Sequence, residues 1–125
     1  MNKVMIVEDE QDLRDIINII IQNEGYETEV AHDGEEFLEK IDSFQPDLVT
    51  LDVMMPGLTT REIFERLKEK TSHPKIILLT VIRYSEEEKE QIMQMGNVVD
   101  YITKPFDSNE FIKRIKYHLE KQEAE

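Results

Sequence analysis

Short apolar runs alternate along the chain with longer segments in which apolar residues recur every three or four positions. The apolar runs predict five strands, at residues 3–7, 27–31, 47–52, 75–80 and 98–103. The segments of helical period predict five helices, at residues 12–23, at residues 34–43, and from residues 59, 85 and 107 onward. Because parallel strands need crossover connections, this alternation predicts an α/β fold: a doubly wound, five-stranded parallel sheet with helices on both faces.

Local signals support these boundaries. Three predicted helices begin with a cap residue followed three positions later by glutamate, the spacing of a capping box. These pairs are Thr59 with Glu62, Ser85 with Glu88, and Asp107 with Glu110. Stop signals are Gly25 after the first helix, Pro46 after the second and Gly96 after the helix from Ser85. The run at residues 75–80 is continuously apolar, which is typical of a strand covered on both faces, whereas the more polar run at residues 27–31 suits an edge.

Composition narrows the classes of function. With 125 residues and 14.8 kDa, the chain has room for one domain, which we place at residues 1–120, followed by a solvated tail or the start of a linker at residues 121–125. Fifteen Lys and Arg against 28 Asp and Glu give a net charge of −13, which would repel a nucleic-acid backbone. The absence of cysteine excludes a disulfide framework and a thiol nucleophile. No stretch is apolar enough to span a membrane and no signal peptide is visible, so we expect a cytoplasmic protein.

Polar side chains stand where four of the predicted strands end. Glu8 and Asp9 follow the first strand, Asp52 ends the third, Thr80 ends the fourth and Lys104 follows the fifth. Ligands of open α/β sheets gather at the carboxyl ends of the strands, so these groups are expected to meet there.

The residue types at that edge point to a cation and a phosphoryl group. Three carboxylates would repel one another unless a divalent cation lay between them, and an oxygen-only ligand set favours Mg²⁺. Thr80 and Lys104 would then bind the remaining phosphoryl oxygens. Taken singly, each residue has an ordinary interpretation: Asp52 as a turn residue, Asp9 as a helix cap, Thr80 as a strand residue, Lys104 as a solvated cation.

The same segments resemble the receiver domain of two-component response regulators, a CheY-like family. The resemblance rests on IVEDE at residues 6–10, LDVMMPG at 51–57, LLT at 78–80 and DYITKPF at 100–106, and extends over the whole chain. It implies a sheet in the order 2-1-3-4-5.

The resemblance also implies roles for individual residues. Asp52 matches the aspartate that accepts a phosphoryl group from a histidine kinase and becomes an aspartyl phosphate. Glu8, Asp9, Asp52 and the backbone carbonyl of Met54 match the ligands of Mg²⁺ or Mn²⁺. Such a domain is a regulatory phosphoacceptor that assists its own phosphotransfer and slow dephosphorylation, and it is not an enzyme.

Further implied roles concern the response to phosphorylation. Thr80 and Lys104 match the groups that hold the phosphoryl oxygens, and Thr80 and Tyr101 match the switch residues. The implied output face consists of the helix from Ser85, the last strand and the last helix with its bases Lys113, Arg114 and Lys116. The implied partners are a histidine kinase or phosphotransfer protein and a downstream protein or fused output domain, with the chain a monomer or a phosphorylation-dependent dimer.

Three features depart from the family pattern. Val81 stands where a small residue is common, the segment around residues 96–101 is somewhat longer than usual, and residues 58–60 are Leu-Thr-Thr. We expect Val81 and the apolar side chain of Met54 to slow attack by small donors and water. His32, His73 and His118 are interpreted as ordinary surface side chains.

Other functions remain as alternatives. The first is a receiver-like module that docks without being phosphorylated. A haloacid-dehalogenase-like phosphatase would need a second acid at the position of Met54. A flavodoxin-like carrier would need a phosphate-binding loop where residues 8–10 are acidic.

Overall fold

The fold is a single parallel sheet between two layers of helices. A computed structural model describes residues 2–124 of the chain, with side chains described for residues 2–120. The strands are β1 (Lys3–Val7), β2 (Glu27–Ala31), β3 (Leu48–Asp52), β4 (Lys75–Thr80) and β5 (Val98–Thr103). The helices are α1 (Gln11–Gln22), α2 (Gly34–Phe44), α3 (Thr60–Leu67), α4 (Glu86–Met93) and α5 (Ser108–Ala124). The strand order is β2-β1-β3-β4-β5, which confirms the predicted fold and order, with β2 at one edge.

The alternation of side chains along each strand divides the core into two halves. In β1, Val4 and Ile6 pack toward α1 and α5, while Met5 and Val7 pack toward α2 and α3. The central strands β3 and β4 are buried almost completely, because both of their faces are covered. Such a sheet holds its carboxyl ends rigidly at one edge.

Helix boundaries follow the local signals closely. Two of the three predicted capping pairs form complete capping boxes, at the starts of α3 and α4. The Asp107 carboxylate accepts the Glu110 N–H at 3.0 Å at the start of α5. Gly25 has a φ of +92° after α1, a conformation that favours glycine. The helix α2 ends at Phe44, and Gln45 takes the left-handed conformation just before Pro46, the predicted stop signal.

The pairing of β4 with β5 contains one irregularity. Ile76 pairs with Val98, but Ile77 pairs with Asp100, so Val99 is an extra residue on β5. In the same region, α4 has no buried residue along its described length. The irregularity lies at the amino-terminal end of β5, and the greater length of this segment relative to the family stays a prediction.

The histidines differ in their surroundings. His32 and His73 are exposed, as predicted. The prediction is wrong for His118, whose side chain is only 12% exposed and whose Nε2 lies 2.9 Å from Asp100 Oδ2. The reason is tertiary: α5 packs its third turn across β5, which carries the acid.

Two of the three predicted bases on α5 are neutralised within the chain. Arg114 lies 3.1 Å from Asp100 Oδ1, and Lys116 lies 2.6 Å from Glu24 Oε1. Only Lys113 of these three is fully on the surface. The positive charge of this face is therefore smaller than the sequence suggests.

The end of the chain is described in part. The backbone of α5 continues as helix to Ala124, whereas the side chains beyond Glu120 lie outside the described residues, so the solvated tail at residues 121–125 stays a prediction. Within residues 2–124, no helix combines the length and the apolar character needed to cross a bilayer.

Candidate functional site

The structure brings the predicted strand-end residues together at one edge of the sheet. Glu8 and Asp52 are buried, at 1% and 4% exposure, and Asp9 is exposed beside them. Ligand oxygens of these three acids lie within 4.8 Å of one another. The Lys104 Nζ lies 2.9 Å from Glu8 Oε1 and 3.2 Å from Asp52 Oδ2. One ammonium group thus holds two buried carboxylates, and the interpretation of Lys104 as a solvated cation is wrong.

The burial and close spacing of these charged groups shift the pKa values of Glu8 and Lys104. The pKa of Glu8 is raised to about 7, chiefly because the group is buried and also because Asp52 is close, and Lys104 offsets part of this rise. Burial alone would lower the pKa of Lys104, but the two carboxylates outweigh it and raise that pKa. The site therefore carries more negative charge than one lysine neutralises, which favours an additional cation.

Each oxygen of Asp52 has a partner of its own. Oδ1 accepts the Met54 N–H at 3.0 Å, and Oδ2 faces Lys104. Asp52 therefore both shapes the turn after β3 and presents one oxygen to the ammonium group. The Met54 carbonyl stays a predicted metal ligand.

Asp9 is not used as a helix cap. The cap position of α1 is Glu10, and no side-chain hydrogen bond caps this helix in the described structure. Instead, Arg14 donates to the backbone carbonyl of Glu8 at 2.9 Å, which holds the turn between β1 and α1. The exposed carboxylate of Asp9 completes an all-oxygen group of three acids, a donor set that fits Mg²⁺ or Mn²⁺.

Thr80 and Tyr101 are linked through the backbone of one residue. The fully buried Thr80 Oγ1 accepts the Ile82 N–H at 3.0 Å. The Tyr101 hydroxyl donates to the Ile82 carbonyl and accepts the Tyr84 N–H at 3.1 Å. Ile82 and Tyr84 could not be predicted from the sequence, because these hydrogen bonds use backbone groups that any residue carries.

Two exposed apolar side chains follow the site residues closely in sequence. Met54 is 56% exposed and Val81 is 60% exposed. They follow Asp52 and Thr80 by two residues and one residue, and their place at the mouth of the site stays a prediction.

Comparison with known proteins identifies the family. The profile of the response regulator receiver domain matches residues 4–116. The chain belongs to this family. A CheY-like receiver domain protein from Methanospirillum hungatei is 28% identical, with a TM-score of 0.86 over 99% of this chain and 98% of that chain.

Two further receiver structures are similar over nearly their whole length. The chemotaxis protein CheY4 of Vibrio cholerae is 30% identical, with a TM-score of 0.80 over 93% of this chain and 97% of that chain. The response regulator TrrA of Thermotoga maritima, whose structure is a complex with Mg²⁺ and BeF, is 34% identical, with a TM-score of 0.77 over 94% and 99% of the two chains.

Proposed function

We propose that this receiver domain is a phosphorylation-dependent switch of a two-component system, with Asp52 as the phosphoacceptor. The observation that carries the proposal is the Lys104 ammonium group held between Glu8 and Asp52, with Asp9 beside them. A phosphohistidine of a kinase or phosphotransfer protein would supply the phosphoryl group. An Asp52 oxygen would form the new P–O bond as the P–N bond breaks and its electron pair returns to the imidazole. Such a transfer depends on positioning and charge neutralisation more than on a general base.

Mg²⁺ or Mn²⁺ fits this acidic group. Glu8, Asp9, Asp52 and the Met54 carbonyl would hold the ion, which when bound supplies positive charge for the phosphoryl oxygens. The Mg²⁺ and BeF in the Thermotoga maritima relative support this assignment. Lys104, already 3.2 Å from Asp52, would bind a phosphoryl oxygen of the modified residue.

The contacts of Thr80 suggest how phosphorylation would be transmitted. Its hydroxyl group accepts a hydrogen bond from Ile82, and turning it toward a phosphoryl oxygen would weaken that bond. The Ile82 carbonyl in turn holds the Tyr101 hydroxyl, so the two side chains would respond together. The affected region joins α4 to β5, which would alter the face built from α4, β5 and α5.

The proposal also covers where the domain acts and what it binds. The domain would act in the cytoplasm as a regulatory phosphoacceptor and not as an enzyme, and its altered face would bind a downstream protein, a fused output domain or a second copy. The alternative, docking without phosphorylation, is not favoured, because a docking module has no need of an ammonium group between two buried carboxylates.

Phosphorylation is tested directly by mass spectrometry. The protein is incubated with acetyl phosphate and Mg²⁺, and we expect a mass increase of one phosphoryl group that is absent with a chelator. Asp52→Asn should abolish the adduct, while Asp47→Asn, an acid at the opposite end of β3, should leave it intact. No adduct on the parent protein, together with no Mg²⁺-dependent change on adding beryllofluoride, would count against the switch.

The transmission route is tested separately. Tyr101→Phe removes the hydroxyl group that joins Ile82 and Tyr84 but touches no group that would bind phosphate. We expect unchanged phosphorylation and smaller amide shift changes at residues 82–84 on phosphorylation, measured by NMR. Equal shift changes in the parent protein and the variant would refute the route.

A further inference from the structure

A pocket lies at the opposite end of the sheet from the acidic group. It has a volume of about 270 Å³ and opens between α3, the start of β4 and the segment after α4. Its walls include the apolar side chains of Phe64, Leu67, Ile76 and Met95. No part of the proposed phosphorylation site contributes to it.

Two features of the neighbouring structure accompany this pocket. Val99 is an extra residue in the pairing of β5 with β4, and α4 has no buried residue in the described structure. Gly96 borders the pocket without a side chain. A methyl group added there would find its nearest neighbour, Phe64 Cδ1, at 3.9 Å, and φ at this position is not in the left-handed region. The pocket is therefore open where a larger side chain would close it.

The rim of the pocket has an unusual charge for this chain. Lys68, His73 and Asn97 line it together with Ser72, and none of the described lining residues is an acid, although the chain has 28 of them. Three other clefts of the described surface each include at least one carboxylate. Lys68 pairs with Glu65 at 3.3 Å, but both side chains are about two-thirds exposed, so a ligand could replace this weak pair.

We propose that this pocket binds a small aromatic carboxylate. The apolar walls would cover the ring, and the carboxylate would lie at the mouth against Lys68 and His73. An apolar cavity of about 150 Å³ holds one benzene ring, so about 270 Å³ accommodates one or two fused rings. A cation-bearing ligand would gain nothing from this rim, and a purely apolar one would leave the lysine unused.

The proposal is tested with 2-naphthoate as the probe and 2-naphthylmethanol as its neutral counterpart. For about 13 non-hydrogen atoms, a modest ligand efficiency gives a dissociation constant of about 1 mM or tighter. Titration followed by amide NMR should shift signals of residues 67–76 and 95–98. The alcohol should bind about three- to fivefold more weakly, the change expected for one exposed charge pair.

Two variants test the apolar pocket and the charge of Lys68 separately. Gly96→Leu fills the space and should weaken binding of both probes at least tenfold, with circular dichroism showing that the fold is retained. Lys68→Met should weaken only 2-naphthoate, to the affinity of the alcohol, while Lys89→Met on α4 should change neither. Shifts confined to other regions, equal binding of the two probes by the parent protein, or an unaffected Lys68→Met variant would overturn the proposal.

Discussion

Replacing Lys104 with methionine is expected to destabilise the metal-free protein strongly. At an effective dielectric constant near 20, the ammonium group attracts each of its carboxylates, at 2.9 and 3.2 Å, by about 5 kcal/mol. Desolvation of the lysine offsets much of this, and breaking a buried ion pair typically costs about 3–5 kcal/mol. Since Lys104 keeps 15% of its side chain exposed, we expect a loss of about 3 kcal/mol.

The assay is urea unfolding at pH 8 with a chelator present. At that pH Glu8 of the parent protein is mostly ionised, whereas the loss of Lys104 raises the pKa of Glu8 in the variant, so proton uptake there relieves part of the repulsion with Asp52. Lys68→Met is the matched control, because Lys68 is 67% exposed and its pair with Glu65 should contribute at most about 1 kcal/mol. Methionine retains the length and apolar stem of lysine, so the comparison isolates the charge.

Adding Mg²⁺ distinguishes lost charge from lost packing. An ion present at about 100 times its dissociation constant stabilises the folded state by about 2.7 kcal/mol. The Lys104→Met variant should gain more than the parent protein, because its two carboxylates no longer share a cation. A variant as stable as the parent without metal, or an equal gain from Mg²⁺ in both proteins, would refute the electrostatic account.

Three further substitutions examine packing, surface charge and the mouth of the site. In Gly34→Ala, the new methyl group would lie 2.6 Å from Cδ1 of the buried Ile63, so we expect a loss of about 1–2 kcal/mol in urea unfolding, whereas Gly96→Ala should be nearly neutral. Partial burial raises the pKa of Glu36, but hydrogen bonds from its neighbours on α2 and the preceding loop lower it to about 2, below the ordinary 4.5. The ionised form therefore stabilises the fold above pH 4.5 and this contribution disappears as the pH falls toward 2, so Glu36→Gln should cost about 1 kcal/mol at neutral pH and less near pH 3. If the proposed phosphorylation holds, Val81→Ala should shorten the lifetime of the aspartyl phosphate by opening the mouth of the site, and an unchanged hydrolysis rate would contradict this.

The fold was predictable because its signals are local and repeated. Strands such as β4 are continuous apolar runs, and the two capping boxes are pairs of residues at a fixed spacing. Once the alternation predicts a parallel sheet, the strand-end rule places Glu8, Asp52, Thr80 and Lys104 at one edge. Each of these steps needs only the order of residues along the chain.

Other features depend on packing that sequence spacing does not specify. The burial of Glu8 against the exposure of its neighbour Asp9 follows from the direction in which each side chain leaves the end of β1. The pairing of His118 with Asp100 requires α5 to cross β5 so that His118 lies next to Asp100. The pocket beside Gly96 lies between α3, the start of β4 and the segment after α4, which come together only in the assembled fold.

The contacts of Tyr101 indicate which part of the proposed switch is free to move. On one side, its carbonyl accepts a hydrogen bond from Arg114 at 3.1 Å and its N–H donates to Asp100 at 2.8 Å, so the strand is fixed to α5. On the other side, its hydroxyl group is held by the backbone of Ile82 and Tyr84, and its ring lies beside the Tyr84 ring at 5.4 Å and the Lys89 ammonium group at 5.1 Å. A change at Thr80 that releases Ile82 would therefore move the ring and the segment before α4, while β5 itself stays in place. Phosphorylation would then alter the output face through side-chain position and the start of α4, without requiring the sheet to deform.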